Sequence, residues 1–94
     1  MNKIIYTYDE VYRWAIDKYG ATEQEGIAIE ECAELIQAIT HKHRGRTHNL
    51  SEEIADVEIM LEQLKIINDC SEDVRKIKRY KVDRLLHNLR GETT

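Results

Sequence analysis

Four acids in two short segments set the chemistry open to this chain. Glu53 lies within Leu50-Ser51-Glu52-Glu53-Ile54-Ala55-Asp56-Val57-Glu58-Ile59-Met60-Leu61. At about 100° per residue, Leu50, Ile54, Val57, Met60, Leu61, Leu64 and Ile67 cluster on one helical arc. Glu53 falls inside that arc and Asp56 at its edge. An ionised carboxylate is costly to bury without a partner. Three readings answer the cost: a bound cation, an ion pair with Arg or Lys, or partial exposure at the edge of a bundle. A second segment, Ile27 to Ile39, carries Glu31 and Glu34 beside its own apolar arc. Residues three apart on a helix lie on nearly the same face, so Glu31 projects with Glu34 and Glu53 with Asp56. If the two helices pack antiparallel, the pairs meet. Four convergent carboxylates offer the hard oxygen ligands that Mg²⁺ or Mn²⁺ prefers, and Mg²⁺ keeps room for waters and substrate phosphates. With 18 acids in 94 residues, such spacing arises by chance. The argument rests on placement: Glu58 and Glu62 point away from the apolar arc, and Glu53 does not.

The elements that must position these acids are helices. The chain has no proline and only four glycines, which disfavours a turn-rich β-sandwich and favours long helices. Thr7 with Glu10 forms a capping-box pattern, and Gly20 supplies a stop. Thr22 with Glu25 repeats the pattern, and Gly45 closes a long second helix. Asn49 with Glu52 opens a third, to about Asn68, and Ser71 opens a fourth that ends near Gly91. Short connections make successive helices antiparallel neighbours. The expected architecture is therefore a single all-α domain over residues 1–94, resembling a four-helix bundle. A core this small gains from self-association. Gly26 reads as a fraying first turn, with close helix packing as the alternative.

Charge and composition exclude other classes. The formal charge of −4 gives no basic excess to neutralise nucleic-acid phosphates, so a polyanionic ligand needs a metal to bridge it to the acids. Met1-Asn2-Lys3-Ile4-Ile5-Tyr6 holds no apolar run of leader length, and no stretch reaches membrane-spanning length, so a cytoplasmic location without membrane contact is expected. Cys32 and Cys70 form neither a disulfide framework nor a zinc motif; Cys32 reads as a small core residue. Trp14, Tyr6, Tyr8, Tyr12 and Tyr19 gather around the first helix as core or interface aromatics, base stacking being the secondary reading. His41, His43 and His48 read as solvated or loop residues, and no histidine follows a glutamate by three, as a di-iron bundle would require. Arg44-Gly45-Arg46-Thr47-His48 reads as a solvated basic connection, with phosphate contact as the alternative.

Glu30-Glu31-Cys32-Ala33-Glu34, an 18-residue gap and Glu53-Ile54-Ala55-Asp56 resemble the EExxE…ExxD signature of the MazG-like all-α nucleoside triphosphate pyrophosphohydrolases. The resemblance covers roughly residues 24 to 85 and includes the apolar context of both motif helices. It implies a MazG-type fold completed by a homodimer or homotetramer. It also implies Mg²⁺-dependent hydrolysis of a nucleoside triphosphate to a monophosphate and pyrophosphate, with Mn²⁺ as an alternative ion. By the same resemblance the metal ligands are Glu31, Glu34, Glu53 and Asp56. Glu30 positions water or supports a ligand, and Lys78, Lys81 and Arg84 reach substrate phosphates. For those three bases a solvated face is the equal alternative. The rival for the whole chain is a non-enzymatic helical interaction module, in which Glu53 pairs with a basic side chain.

Overall fold

The structure is a computed structural model and describes residues 5–91. Residues 1–4, on which the leader reading partly rests, lie outside it. The chain is all-α, with α1 (Tyr8–Tyr19), α2 (Ala21–His43), α3 (Leu50–Ile67) and α4 (Ser71–Leu89), and no strand among the described residues. Among the described residues no helix is long and apolar enough to cross a membrane.

Local chemistry sets most boundaries. The Thr7 hydroxyl accepts from the Glu10 N–H at 3.1 Å, and the Thr7 N–H donates to Glu10 Oε1 at 3.0 Å. This reciprocal box satisfies two amides at the start of α1. Gly20, at φ 92°, ends α1 and serves at once as the cap of α2. That one-residue junction leaves Thr22 inside the first turn, and α2 starts without a side-chain cap, so the second capping box is corrected. Beyond His43 the chain turns through Gly45 at φ 67°, and the Arg46 N–H returns to the His41 carbonyl at 2.8 Å. The positive φ there is one that glycine adopts without a Cβ clash. Cys70, not Ser71, occupies the cap position of α4. A Cβ on Gly26 would meet nothing within 4 Å, so no close helix approach requires that glycine.

The core is a thin seam between α2 and antiparallel α3, with α1 against both. A buried line of Gln24, Ala28 and Ala38, with half-buried Glu31 and Leu35, runs down α2. Its counterpart on α3 is Glu53, Val57, Met60 and Gln63. Gln24 Nε2 donates to Gln63 Oε1 at 2.7 Å, both side chains buried, and Gln63 Nε2 points to Met60 Sδ at 3.8 Å. This seam corrects the arc read from sequence, because Ile54 and Leu61 are exposed and Gln63 is buried. Met60→Ala is accordingly expected to cost about 2–5 kcal/mol, as large-to-small changes in buried sites do. Leu61→Ala should cost less, and urea denaturation of the two variants ranks them.

Three further expectations change. Cys32 is exposed, on the flank of α2, where it lines an apolar groove with Leu64 of α3. Trp14 is 58% exposed, its ring tilted by 38° against that of Tyr6 at 5.7 Å between centroids, so within one chain it is not a core residue. The fourth helix approaches α3 alone and buries none of its residues. Three helices pack, and α4 leaves them through a turn in which Asp69 has φ 48°.

Candidate metal centre

The seam brings the acids together by register. Glu31 lies seven positions after Gln24 and Asp56 seven before Gln63; three more positions lead to Glu34 and to Glu53. An antiparallel pair pinned by the Gln24–Gln63 hydrogen bond therefore sets Glu31 opposite Asp56 and Glu34 opposite Glu53. Carboxylate oxygens of Glu31, Glu34 and Glu53 all lie within 4.8 Å of one another. Asp56 is half-buried and stands outside this trio, within hydrogen-bonding reach of Glu31. Three of the four expected ligands thus share one point, and the fourth borders it.

Glu53 is buried, Glu31 half-buried and Glu34 exposed, and the three acids repel one another. Glu53 is only 5% exposed, which removes the reading of partial exposure at an edge. Its Oε1 accepts from Asn49 Nδ2 at 2.7 Å. Its Oε2 is buried with no hydrogen-bond donor, and so is Glu31 Oε2. No Lys or Arg ion-pairs with Glu53 among the described residues, so the donor set does not supply the positive charge that the cluster lacks. Desolvation pushes the Glu53 carboxyl above the usual range, Glu34 and Asp56 add repulsion, and the Asn49 amide partly opposes them. Glu31 is pushed up by desolvation first and then by Glu34, Asp56 and Glu53. Buried lone pairs without donors, on converging hard-oxygen ligands, are what a divalent cation satisfies.

Beside the trio opens a polar cleft of about 360 Å³, lined by Glu34, Gln37, Ala38, His41, Asn49 and Glu53. Sequence reading missed Gln37 and His41 as site residues and took Asn49 only as a helix cap. For the first two a signal existed: they follow Glu34 by three and seven residues, on one face of α2. His41 is half-buried in α2 and is no loop residue. Asn49 accepts nothing from the backbone of α3; its amide donates to Glu52 at 3.0 Å and to Glu53. Replacing Asn49 with Ala removes the donor that aims Glu53 Oε1. Loss of such an outer-shell partner is expected to weaken Mn²⁺ binding about 10–100-fold, read by calorimetric titration.

The other expected site residues lie apart. Glu30 is exposed and outside the trio, one 100° step off the buried line of α2. Lys78, Lys81 and Arg84 are exposed on α4, which does not approach α2. Lys78 lines a cleft with Tyr8, Tyr12, Glu58 and Glu62, and the Arg84 guanidinium lies 5.9 Å from the Tyr80 ring centroid. Within one chain none of the three joins the acids. In the basic connection, His48 Nδ1 accepts the Leu50 N–H at 3.3 Å. The fold and site thus define an all-α chain with a three-carboxylate centre. Searches against family models, curated proteins and solved structures find no match for it.

Proposed function

We propose that the chain is a MazG-like nucleoside triphosphate pyrophosphohydrolase, dependent on Mg²⁺ or Mn²⁺ and active as a homo-oligomer. The observation that carries this reading is the meeting of Glu31, Glu34 and Glu53 within 4.8 Å, two of them with buried oxygens that no donor satisfies. The motif resemblance supplies the reaction. These three residues, with Asp56 at the border, would hold the ion. Bound there, it would supply charge neutralisation on a polyphosphate and activation of water for attack at phosphorus. The chain's own residues position and orient. Asn49 holds Glu53 in one rotamer, and the Gln24–Gln63 pair keeps α2 and α3 in the register that aligns the acids. Gln37 and His41 offer hydrogen bonds to a ligand entering the cleft, whose polar lining suits phosphate oxygens better than a nucleobase. Glu30 as a water-positioning group and the α4 bases as phosphate contacts rest on the resemblance alone.

Pyrophosphate release from a panel of NTPs and dNTPs, with and without Mg²⁺, tests the reading. Release that requires the cation is expected. No release from any nucleotide at high protein concentration would sink the hydrolase and favour the non-enzymatic interaction module, which the unburied α4 suits.

A further inference from the structure

Even with one divalent cation bound, the acidic centre repels a polyphosphate. Glu31, Glu34 and Glu53 converge and Asp56 borders them, so the carboxylates outnumber the charge of the ion. Like charges set together oppose binding. The positive charge that a phosphate chain needs must come from side chains close to the cleft. The α4 bases do not supply it within one chain, because α4 approaches α3 alone.

The connection between α2 and α3 does. From Leu35 to Ser51 the sequence holds no acid, and Lys42, Arg44 and Arg46 lie inside that stretch. All three are exposed, and none forms an ion pair among the described residues. The acid-free stretch also supplies Gln37, Ala38, His41 and Asn49 to the lining of the polar cleft. Backbone hydrogen bonds fix its turn. The Arg46 N–H donates to the His41 carbonyl at 2.8 Å, and the Gly45 N–H donates to the Lys42 carbonyl at 3.0 Å. With Gly45 at φ 67°, this is the double closure of a Schellman turn. It anchors the backbone of Arg46 on a residue that lines the cleft. At its other end the cleft reaches Glu34 and Glu53, where the buried Glu53 Oε2 has no donor. One end of the cleft therefore calls for a cation and the other carries cations. That polarity suits an anion bearing its own metal, and a guanidinium fork matches two oxygens of one phosphate.

We propose that Arg44 and Arg46 form an anion site for the phosphate chain of a metal-bound polyphosphate, the metal lying at the carboxylate end of the same cleft. The site rests on the metal-centre part of the reading above and not on its hydrolase part. Calorimetric titration with the Mg²⁺ complex of inorganic tripolyphosphate reads it without turnover. Wild type is expected to bind this probe. Arg44→Gln/Arg46→Gln should bind it at least about 10-fold more weakly, since charge-assisted hydrogen bonds to phosphate are the strong ones. Both side chains are exposed, so the variant should keep its melting temperature and its affinity for Mn²⁺ alone. Arg44→Lys/Arg46→Lys should recover part of the binding, because the charge is kept and the fork is lost. Lys78→Gln/Arg84→Gln removes the same charge from α4 and serves as the rival. A loss there equal to or larger than that of the connection variant overturns the assignment. So does a connection variant that binds tripolyphosphate as wild type does, or one whose Mn²⁺ affinity falls as far as its tripolyphosphate affinity. Wild type that binds Mn²⁺ but not tripolyphosphate overturns the site and leaves the metal centre standing, whereas wild type that binds no Mn²⁺ removes both. Tripolyphosphate binding that depends on the two arginines, without pyrophosphate release from any nucleotide, removes the hydrolase and supports the site.

Discussion

Glu53→Gln should abolish cation-dependent pyrophosphate release, by at least about 100-fold since even outer-shell partners of a metal cost 10–100-fold, and should raise the melting temperature of the metal-free protein by a few degrees. The two effects have one origin. Glu53 is buried, its Oε2 has no donor, and Glu34 and Asp56 face it. Its charge is therefore a liability to the empty fold and an asset only to a cation. Glutamine keeps the shape, and its Oε1 still accepts from Asn49, so the seam closes without the repulsion. An ordinary buried ion pair would give the opposite stability result, because removing one partner strands the other. The discriminating pair of measurements is thermal melting without divalent ions and turnover with them. A substantially lower melting temperature for the variant would refute the ligand role. So would turnover within a few-fold of wild type.

That expectation starts from a feature visible in the sequence, an acid where the helical period calls for an apolar residue. Glu53 was legible because hydrophobic periodicity makes a charged intruder conspicuous. Glu31 and Glu34 followed from i, i+3 geometry, and the Thr7–Glu10 box and the turn at Gly45 from local backbone chemistry. The seam was not legible in full. Periodicity counts apolar residues, so it centred the face of α3 on Ile54 and Leu61 and passed over Gln63, whose burial depends on a partner thirty-nine residues away. Asn49 escaped for the same reason: its role is set by Glu53, not by the helix it precedes. Cys32 and the leucines of α4 carry apolar patterns that read as core, yet the fold leaves them exposed. Pattern reports that a face will be buried, and only the fold reports against what.

The acids should also give the metal-free protein an inverted pH response that a divalent cation reverses. Burial and like charge raise the carboxyls of Glu31 and Glu53 above the ordinary glutamate value of 4.5. Between that value and the raised ones, the folded state holds more protons than the unfolded state, so unfolding free energy falls as pH rises. Their contribution is fully present below about pH 4.5 and is lost as pH climbs through the raised values. Other carboxylates on the chain titrate too, so the quantity to plot is the melting temperature of wild type minus that of Glu53→Gln. In EDTA this difference should become more negative as pH rises from about 4.5 through the raised values. A cation binds the deprotonated carboxylates and competes with the proton, so saturating Mg²⁺ or Mn²⁺ should turn the difference positive at the alkaline end. Ligand at 100 times its Kd stabilises by about 2.7 kcal/mol, which for a chain of this size is a rise of roughly 10–20 °C. A difference curve that is flat in EDTA and unmoved by either ion would mean that the three carboxylates neither repel one another nor share a cation. The geometry at 4.8 Å would then be a surface coincidence. The sign change with metal is the stronger half of the test, because desolvation alone can produce the slope but only a shared ligand set can reverse it.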